Sequence, residues 1–267
     1  MNIYTELTNQ FNKGRLRAIL SSGQAVVLHR LAMMSKDGDW IIKEVDETSD
    51  YILSVLNRFG AHYRFGAPLD IRWLRGGWSA HFEFIFDALR IRTDFISRPP
   101  RISDERLMQL WMEQEGRAFP YVGLTDLAEL KKTNREKDYA IIGELSRKMD
   151  LLESKIRYSR SARDLVGFCR NDPALVSGIM RERGIDVSAL SNIEALEAAL
   201  DAERRRLMHA NEKRLKRYSL AAERWAEAWK EVEKEIASLS LMDAHKIIVE
   251  RATAKLPYTP LEGGVYE

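Results

Sequence analysis

Two aspartates one residue apart, Asp37 and Asp39, stand in Ser35-Lys36-Asp37-Gly38-Asp39-Trp40-Ile41-Ile42, and a third, Asp94, in Arg90-Ile91-Arg92-Thr93-Asp94-Phe95-Ile96. On an extended segment residues i and i+2 point to the same side, so the first two carboxylates repel each other unless a cation sits between them. A third acid on a neighbouring strand would complete an all-oxygen site of the kind Mg²⁺ prefers. Taken alone, Asp-x-Asp is a common pattern, more often an acidic turn before a strand. Upstream, Ser22-Gly23 opens the short helical run Gln24 to Leu31. Free backbone N–H groups at such a start suit phosphate, although N-capping by Ser22 is the simpler role. Downstream, Lys131, Lys132, Arg135 and Lys137 form a compact basic cluster, which either meets phosphate or decorates a solvated helix end.

The elements that must position these residues follow from periodicity. Helical spacing over 4–20 predicts a lead-in helix closing at Ser21-Ser22-Gly23. A strand is expected over 36–43, then an amphipathic helix over 44–59 closed by Gly60. Strand candidates follow at 61–65, 69–74, 80–86 and 89–96, the last stopped by Pro99-Pro100. A helix over 102–114, a short strand over 117–122, and helices over 124–133 (Thr125 as N-cap) and 139–149 complete this part. The order indicates an α+β fold, not a doubly wound sheet. Neither GxGxxG nor GxxxxGK[ST] occurs, so Rossmann and P-loop readings have no support.

Beyond Met149 the pattern is helical throughout, which predicts a catalytic domain over 1–150 and an all-helical domain over 151–267. Segments 151–168 and 173–184 precede a long helix starting at Ser191-Asn192. Its apolar residues Ile193, Leu196 and Leu200, and then Leu215, Tyr218, Ala222, Trp225, Trp229, Val232, Ile236 and Leu239, recur within each run at three- and four-residue steps. Unbroken to Ser238 it would run about 70 Å at about 1.5 Å per residue, as the centre of a bundle or a pairing surface for another chain. Arg204-Arg205-Arg206 and 213–217 give it a basic stripe, read as a solvated face before an RNA contact. Trp225 and Trp229 read as a packing seam, His29 as a packed helix residue, and the tail after Leu256 as loosely ordered.

Composition narrows the classes. The 267 residues are 45% hydrophobic with a formal charge of +2, so global polycation binding to nucleic acid has no basis. The single Cys169 excludes an intramolecular disulfide and a cysteine-based zinc site, and the five histidines show no HExxH spacing. The polar N-terminus and the lack of about 20 consecutive apolar residues lead us to expect a cytoplasmic protein with no membrane partner.

In this order the motifs resemble the minimal nucleotidyltransferases of the DNA polymerase β-like superfamily, most closely the AbiEii-type abortive-infection and toxin branch. That family pairs a Gly-Gly or Gly-Ser turn with Asp-x-Asp and a later Asp, matched here by Ser22-Gly23, Asp37-Gly38-Asp39 and Asp94. Gln24 to Leu31 resembles its Gly-x-Ala-x-x-Leu-His-Gly segment. Leu124-Thr125-Asp126-Leu127, Leu130-Lys131 and Arg135-Glu136-Lys137-Asp138 follow its Leu-Glu-Asp-Leu … Leu-Lys … Arg-x-Lys-Asp pattern. The resemblance spans roughly 10–150. It implies a nucleotidyltransferase-like mixed sheet with flanking helices and Mg²⁺-dependent transfer of a nucleoside monophosphate from a nucleoside triphosphate. Asp37, Asp39 and Asp94 would be the catalytic metal ligands, and Ser22, Gly23, Lys131 and Asp138 the nucleotide-binding residues. The acceptor would be tRNA or another RNA, a protein side chain or a small molecule, the toxin-like resemblance favouring RNA. A role as toxin or phage-defence component is implied, with a cognate antitoxin or a second copy meeting the long C-terminal helix. Three positions depart from the pattern: Ser22 replaces a glycine, Arg30 a small residue, and Gly38 an apolar residue whose loss should loosen the acidic strand. The alternative is a catalytically degenerate member acting as an interaction protein through its helical C-terminal part.

Overall fold

A computed structural model describes residues 2–260, which form two compact units: 2–122 with 216–260, and 123–215. The division therefore falls at 122 and 215 rather than at the expected 150. The reason is that the last helices carry apolar faces that belong to the core of the first unit.

That first unit holds five strands, β1 (Ala18–Ser21), β2 (Asp37–Ile42), β3 (His62–Tyr63), β4 (Ala80–Phe86) and β5 (Leu89–Ile96). They form one sheet in the order β1-β2-β5-β4-β3. β2 runs parallel to β5 and the other neighbours are antiparallel, so the sheet is mixed and the α+β class is as expected. One sheet face is apolar: Leu20, Trp40, Phe82, Phe84 and Phe95 are all at most 1% exposed. They pack with Leu7 and Phe11 of α1 (Ile3–Phe11) and Ile52, Val55 and Leu56 of α3 (Asp46–Arg58). The same core takes in Trp225 and Trp229 of α12 (Glu223–Ile236) and Ile248 of α13 (Leu241–Lys255). The tryptophan seam is thus a core element of the sheet unit, with Trp225, Trp229, Val232 and Ile236 buried in it.

Several elements differ from the periodicity. The lead-in helix stops at Phe11 because Asn12 turns the chain: its Nδ2–H groups reach the Thr8 and Ala18 carbonyls, and its Oδ1 accepts from the Arg17 and Ala18 N–H. This releases Ala18–Ser21 to become β1. The strand expected at 69–74 is instead the short helix α4 (Ile71–Leu74), nucleated by Asp70, whose carboxylate accepts from the Arg72 N–H. The stretch 117–122 contributes only an isolated bridge from Tyr121 to Leu20. α2 (Ser22–Leu28) and α5 (Asp104–Gln114) fall where helices were expected. The start of the tail is held in place: Trp73 and Trp78 donate their indole N–H groups to the Leu256 and Pro257 carbonyls. The rest of the tail, from 261, lies outside the described residues.

The second unit is helical, with α6 (Leu124–Leu130), α7 (Glu136–Lys148), α8 (Leu152–Tyr158), α9 (Ala162–Asn171) and α10 (Pro173–Glu182). Gly123, not Thr125, is the N-cap of α6. α11 (Ile193–Ala221) is 29 residues, about 43 Å at about 1.5 Å per residue, and the helix breaks at Ala222 short of the 70 Å expectation. Its centre carries a buried ion cluster, with Glu203 accepting from both Arg160 and Arg183. Arg204 pairs with Glu136 and Asp201, and Arg205 with Asp201, so part of the basic stripe is neutralised within the unit. No described helix is long and apolar enough to cross a membrane.

His245 on α13 is half-buried beside the sheet, its Nδ1 accepting from the Tyr63 hydroxyl at 2.7 Å, while that hydroxyl accepts the Leu69 N–H. Burial lowers its pKa below the ordinary 6.5, against the opposing charges of Asp70 and Asp50. A lowered histidine pKa means the unfolded chain binds the extra proton first. Stability is therefore full above pH 6.5 and falls as pH drops through it, levelling below the folded-state pKa. We expect the thermal midpoint to be lower at pH 5.5 than at pH 7.5, with H245N, whose amide oxygen keeps the acceptor, losing part of that difference.

Candidate active site

Strand alternation fixes which side chains leave the core. With Gly38, Trp40 and Ile42 turned into the aromatic layer, Asp37 and Asp39 point to the opposite sheet face. The parallel register sets Asp39 beside Asp94 and Asp37 beside Arg92. The antiparallel partners extend these rows, with His81 opposite Asp94, Glu83 opposite Arg92, and Ser21 opposite Asp39. The three predicted acids are thereby brought together on one polar face.

Gly38 does not loosen this strand. A Cβ at that position would lie 2.4 Å from the Trp40 ring and 2.5 Å from the Tyr4 ring, so the two aromatics occupy the volume a side chain would need. The glycine is a packing requirement, and β2 is paired on both sides. The strand's leading end is clamped as well. Buried Gln24 donates its amide N–H to the Ser35 carbonyl at 2.9 Å and the Asp37 carbonyl at 3.3 Å, and the Tyr4 hydroxyl donates to the Lys36 carbonyl at 2.5 Å. Gly23 is required too, since a Cβ there would meet the Ser35 hydroxyl. Ser22 adopts the left-handed conformation, φ 51°, and starts α2, with Ser21 as the N-cap residue. Ser21 donates its hydroxyl to the Asp39 carbonyl, tying this turn to the acidic strand.

The electrostatics of the face are uneven. Burial, then the charge of Asp37, with Asp39 and Asp94 adding to it, pushes the Tyr4 phenol up to about 12. Asp37 Oδ1 is buried and has no hydrogen-bond partner among the described residues. Such an orphaned carboxylate oxygen is costly unless a proton or cation meets it. Asp94 is already engaged: its Oδ1 accepts from His81 Nδ1 at 2.7 Å and faces Arg64 at 3.5 Å. Glu83 draws His62, Arg64, Arg90 and Arg92 to 3.3–3.8 Å. A cleft of about 580 Å³ opens beside Asp37, lined by Tyr4, Met33, Met34, Leu89, Arg90 and Arg92 among others.

The donor set fits a hard divalent cation at the β2 acids, where a bare carboxylate oxygen and its i+2 neighbour face one way. Among the described residues, however, no three of His, Cys, Asp and Glu stand together as a finished metal cage. Asp94 Oδ1 is already engaged by His81 and Arg64.

Lys131 and Asp138 meet, as the family pattern implies, but in the unit 123–215 rather than in that of the acids. Lys131 is buried and its ammonium lies 3.4 Å from Asp138 Oδ1. Burial raises the Asp138 pKa, yet the Thr133 hydroxyl and the Lys131 and Arg135 charges outweigh it and hold the carboxyl below the usual range. His29 is packed as expected, its Nε2 2.9 Å from the Val122 carbonyl oxygen and its ring against Tyr121.

Residue-level reading missed Tyr4, Gln24, Arg64, Ser79, His81 and Glu83. His81 and Glu83 did carry a signal, alternating with Phe82 and Phe84. What no alternation reveals is which strand lies next to which.

No family model and no curated protein matches this chain. Among solved structures it is similar to one described as a "putative nucleotidyltransferase" from H. pylori, at 12% identity and a TM-score of 0.39. That match covers 79% of this chain and 96% of the other. Likeness at that level carries no argument.

Because Gly38 is packed against two rings, we expect G38A to cost about 1–3 kcal/mol, the usual range for an overpacked core position. Urea unfolding measures it. A neutral substitution would mean that the Tyr4–Trp40 pair does not hold the acidic strand.

Proposed function

We propose that the chain is a metal-dependent nucleotidyltransferase that moves a nucleoside monophosphate from a nucleoside triphosphate to an acceptor hydroxyl. The observation that carries this reading is the register of β2 and β5, which sets Asp39 beside Asp94 with Asp37 two residues away on the same face. Asp37 and Asp39 would hold Mg²⁺ and, through it, the triphosphate, while Asp94 would orient the acceptor hydroxyl. When bound, Mg²⁺ supplies neutralisation of the phosphate charge and a lowered pKa for that hydroxyl. Ser22 and Gly23 would contact the terminal phosphates through hydroxyl and backbone N–H. For Lys131 and Asp138 a nucleotide-binding role is only what the motif resemblance implies; within the unit 123–215 the Lys131 ammonium is held by Asp138. Catalysis of this kind is mainly positioning and charge stabilisation, with pyrophosphate leaving from the α-phosphorus.

The finer assignment follows the motif resemblance: an AbiEii-like protein, active as a toxin or in phage defence, with RNA or tRNA as acceptor. A cognate antitoxin or a second copy would then meet the exposed surface of α11 rather than the buried residues of α12. A second reading is favoured by the engagement of Asp94 with His81 and Arg64: a degenerate member that keeps the fold and binds a partner without transfer.

Incubation with each labelled nucleoside triphosphate, Mg²⁺ and total RNA separates the two. The enzyme reading predicts label transfer that falls about 10²–10³-fold in D39A, the scale of losing one group that stabilises transition-state charge. No transfer with any nucleotide and no nucleotide binding would favour the degenerate reading.

A further inference from the structure

β2 and β5 run parallel and end side by side, with Ile41 of one beside Ile96 of the other. The chain leaves β2 for α3 through 43–45 and leaves β5 for α5 through 97–103. A cavity of about 790 Å³ lies beside these carboxyl ends, walled by α5. Ligands of open sheets gather outside the carboxyl ends of adjacent parallel strands, and the volume is that of a small-molecule site. None of Asp37, Asp39 and Asp94 lines it.

The cavity has an apolar floor. Ile42 is buried and Leu107 and Trp111 are half-buried, while Met108 and Met112 are exposed. Met108, Trp111 and Met112 stand at three- and four-residue steps, so they form a continuous strip along one side of α5. Thioether and indole surfaces of this kind suit a planar apolar body.

The rim is charged, and its charges are used unequally. The Glu44 carboxylate is fully engaged, accepting from Ser97 Oγ at 2.9 Å, Arg98 Nε at 2.7 Å and Arg75 Nε at 3.3 Å. Two other pairs are looser. Lys43 Nζ reaches Glu115 at 3.4 Å, one hydrogen bond for an ammonium with three donors, and lies 5.4 Å from the centre of the Trp111 ring. Arg98 Nη1 faces Asp104 at 3.8 Å, beyond hydrogen-bonding length. Two cations and two carboxylates with spare bonding capacity thus edge an apolar floor, and their charges cancel. A lone anion or a lone cation would oppose half of that set, whereas a neutral molecule carrying both charges complements all of it.

We infer that this cavity binds a zwitterionic α-amino acid with an aromatic side chain. Its carboxylate accepts from Lys43 and its ammonium donates to Glu115, each replacing the other's partner in that loose pair. Its ring lies on the strip from Trp111 toward Met108. The inference uses no nucleotide and no metal, so it stands or falls apart from the proposed transfer reaction.

The test is isothermal titration calorimetry of the full chain with L-phenylalanine, phenylpropionate, phenethylamine and L-alanine. The last three lack the ammonium, the carboxylate and the ring respectively. L-phenylalanine should bind saturably at a single site, and each partial ligand about 10–100-fold more weakly, the scale of losing a hydrogen bond to a charged group or a buried ring. K43M and W111A should weaken L-phenylalanine by a similar factor while circular dichroism reports an intact fold. No saturable binding of L-phenylalanine, a partial ligand that binds as tightly, or unchanged affinity in K43M would overturn the inference. Should W111A fail to fold, M112E, at an exposed position, replaces it and should weaken binding likewise; unchanged affinity there would also overturn it.

Discussion

The site depends on one backbone pairing, the parallel register that sets Asp39 beside Asp94. Side chains alternate along each strand, so this register decides at once what is buried and what is presented. Trp40 and Phe95 are register partners, and their rings stack 5.4 Å apart in the core. The acids preceding each of them are therefore partners on the other face. A slip of one residue would bury the acids and expose the aromatics, and the size of that penalty is what makes the constellation reliable.

Holding several carboxylates on one face has an electrostatic cost, which the structure meets unevenly. His81 and Arg64 serve Asp94, and four basic side chains gather around Glu83. Asp37 is left with a buried oxygen that no described group bonds. The Tyr4 phenol on the adjacent helix is raised first by its burial and then by the negative charge of Asp37. The face thus has a compensated half around Asp94 and Glu83 and an uncompensated point at Asp37, where a cation would have most to contribute.

Much of this was legible in the sequence, because the acids, the phenylalanine alternation of β4 and the hairpin to β5 are local patterns. The α+β class and the extents of β4 and β5 came from those patterns alone. Other features were not legible because they depend on contacts between distant residues. Gly38 reads as a weak link until Tyr4, 34 residues earlier, is seen to occupy the space beside it. Trp225 and Trp229 read as part of a separate helical domain until they are found in the core of the sheet unit. The false strand at 69–74 shows the reverse case, a local signal overlooked: Asp70 caps a helix that apolar alternation hides. Lys131 and Asp138, which the motif resemblance alone pairs, do lie in contact.

The central claim is that the β2 acids form a cation site completed by Asp94. Its most direct test is a Mn²⁺ titration of the metal-free chain followed by water-proton relaxation, with Mn²⁺ standing in for Mg²⁺. The account predicts saturable binding in the native chain that is abolished in D37N and weakened in D94N, with unfolding curves showing both variants folded. Absence of binding, or binding unchanged in D37N, would contradict it.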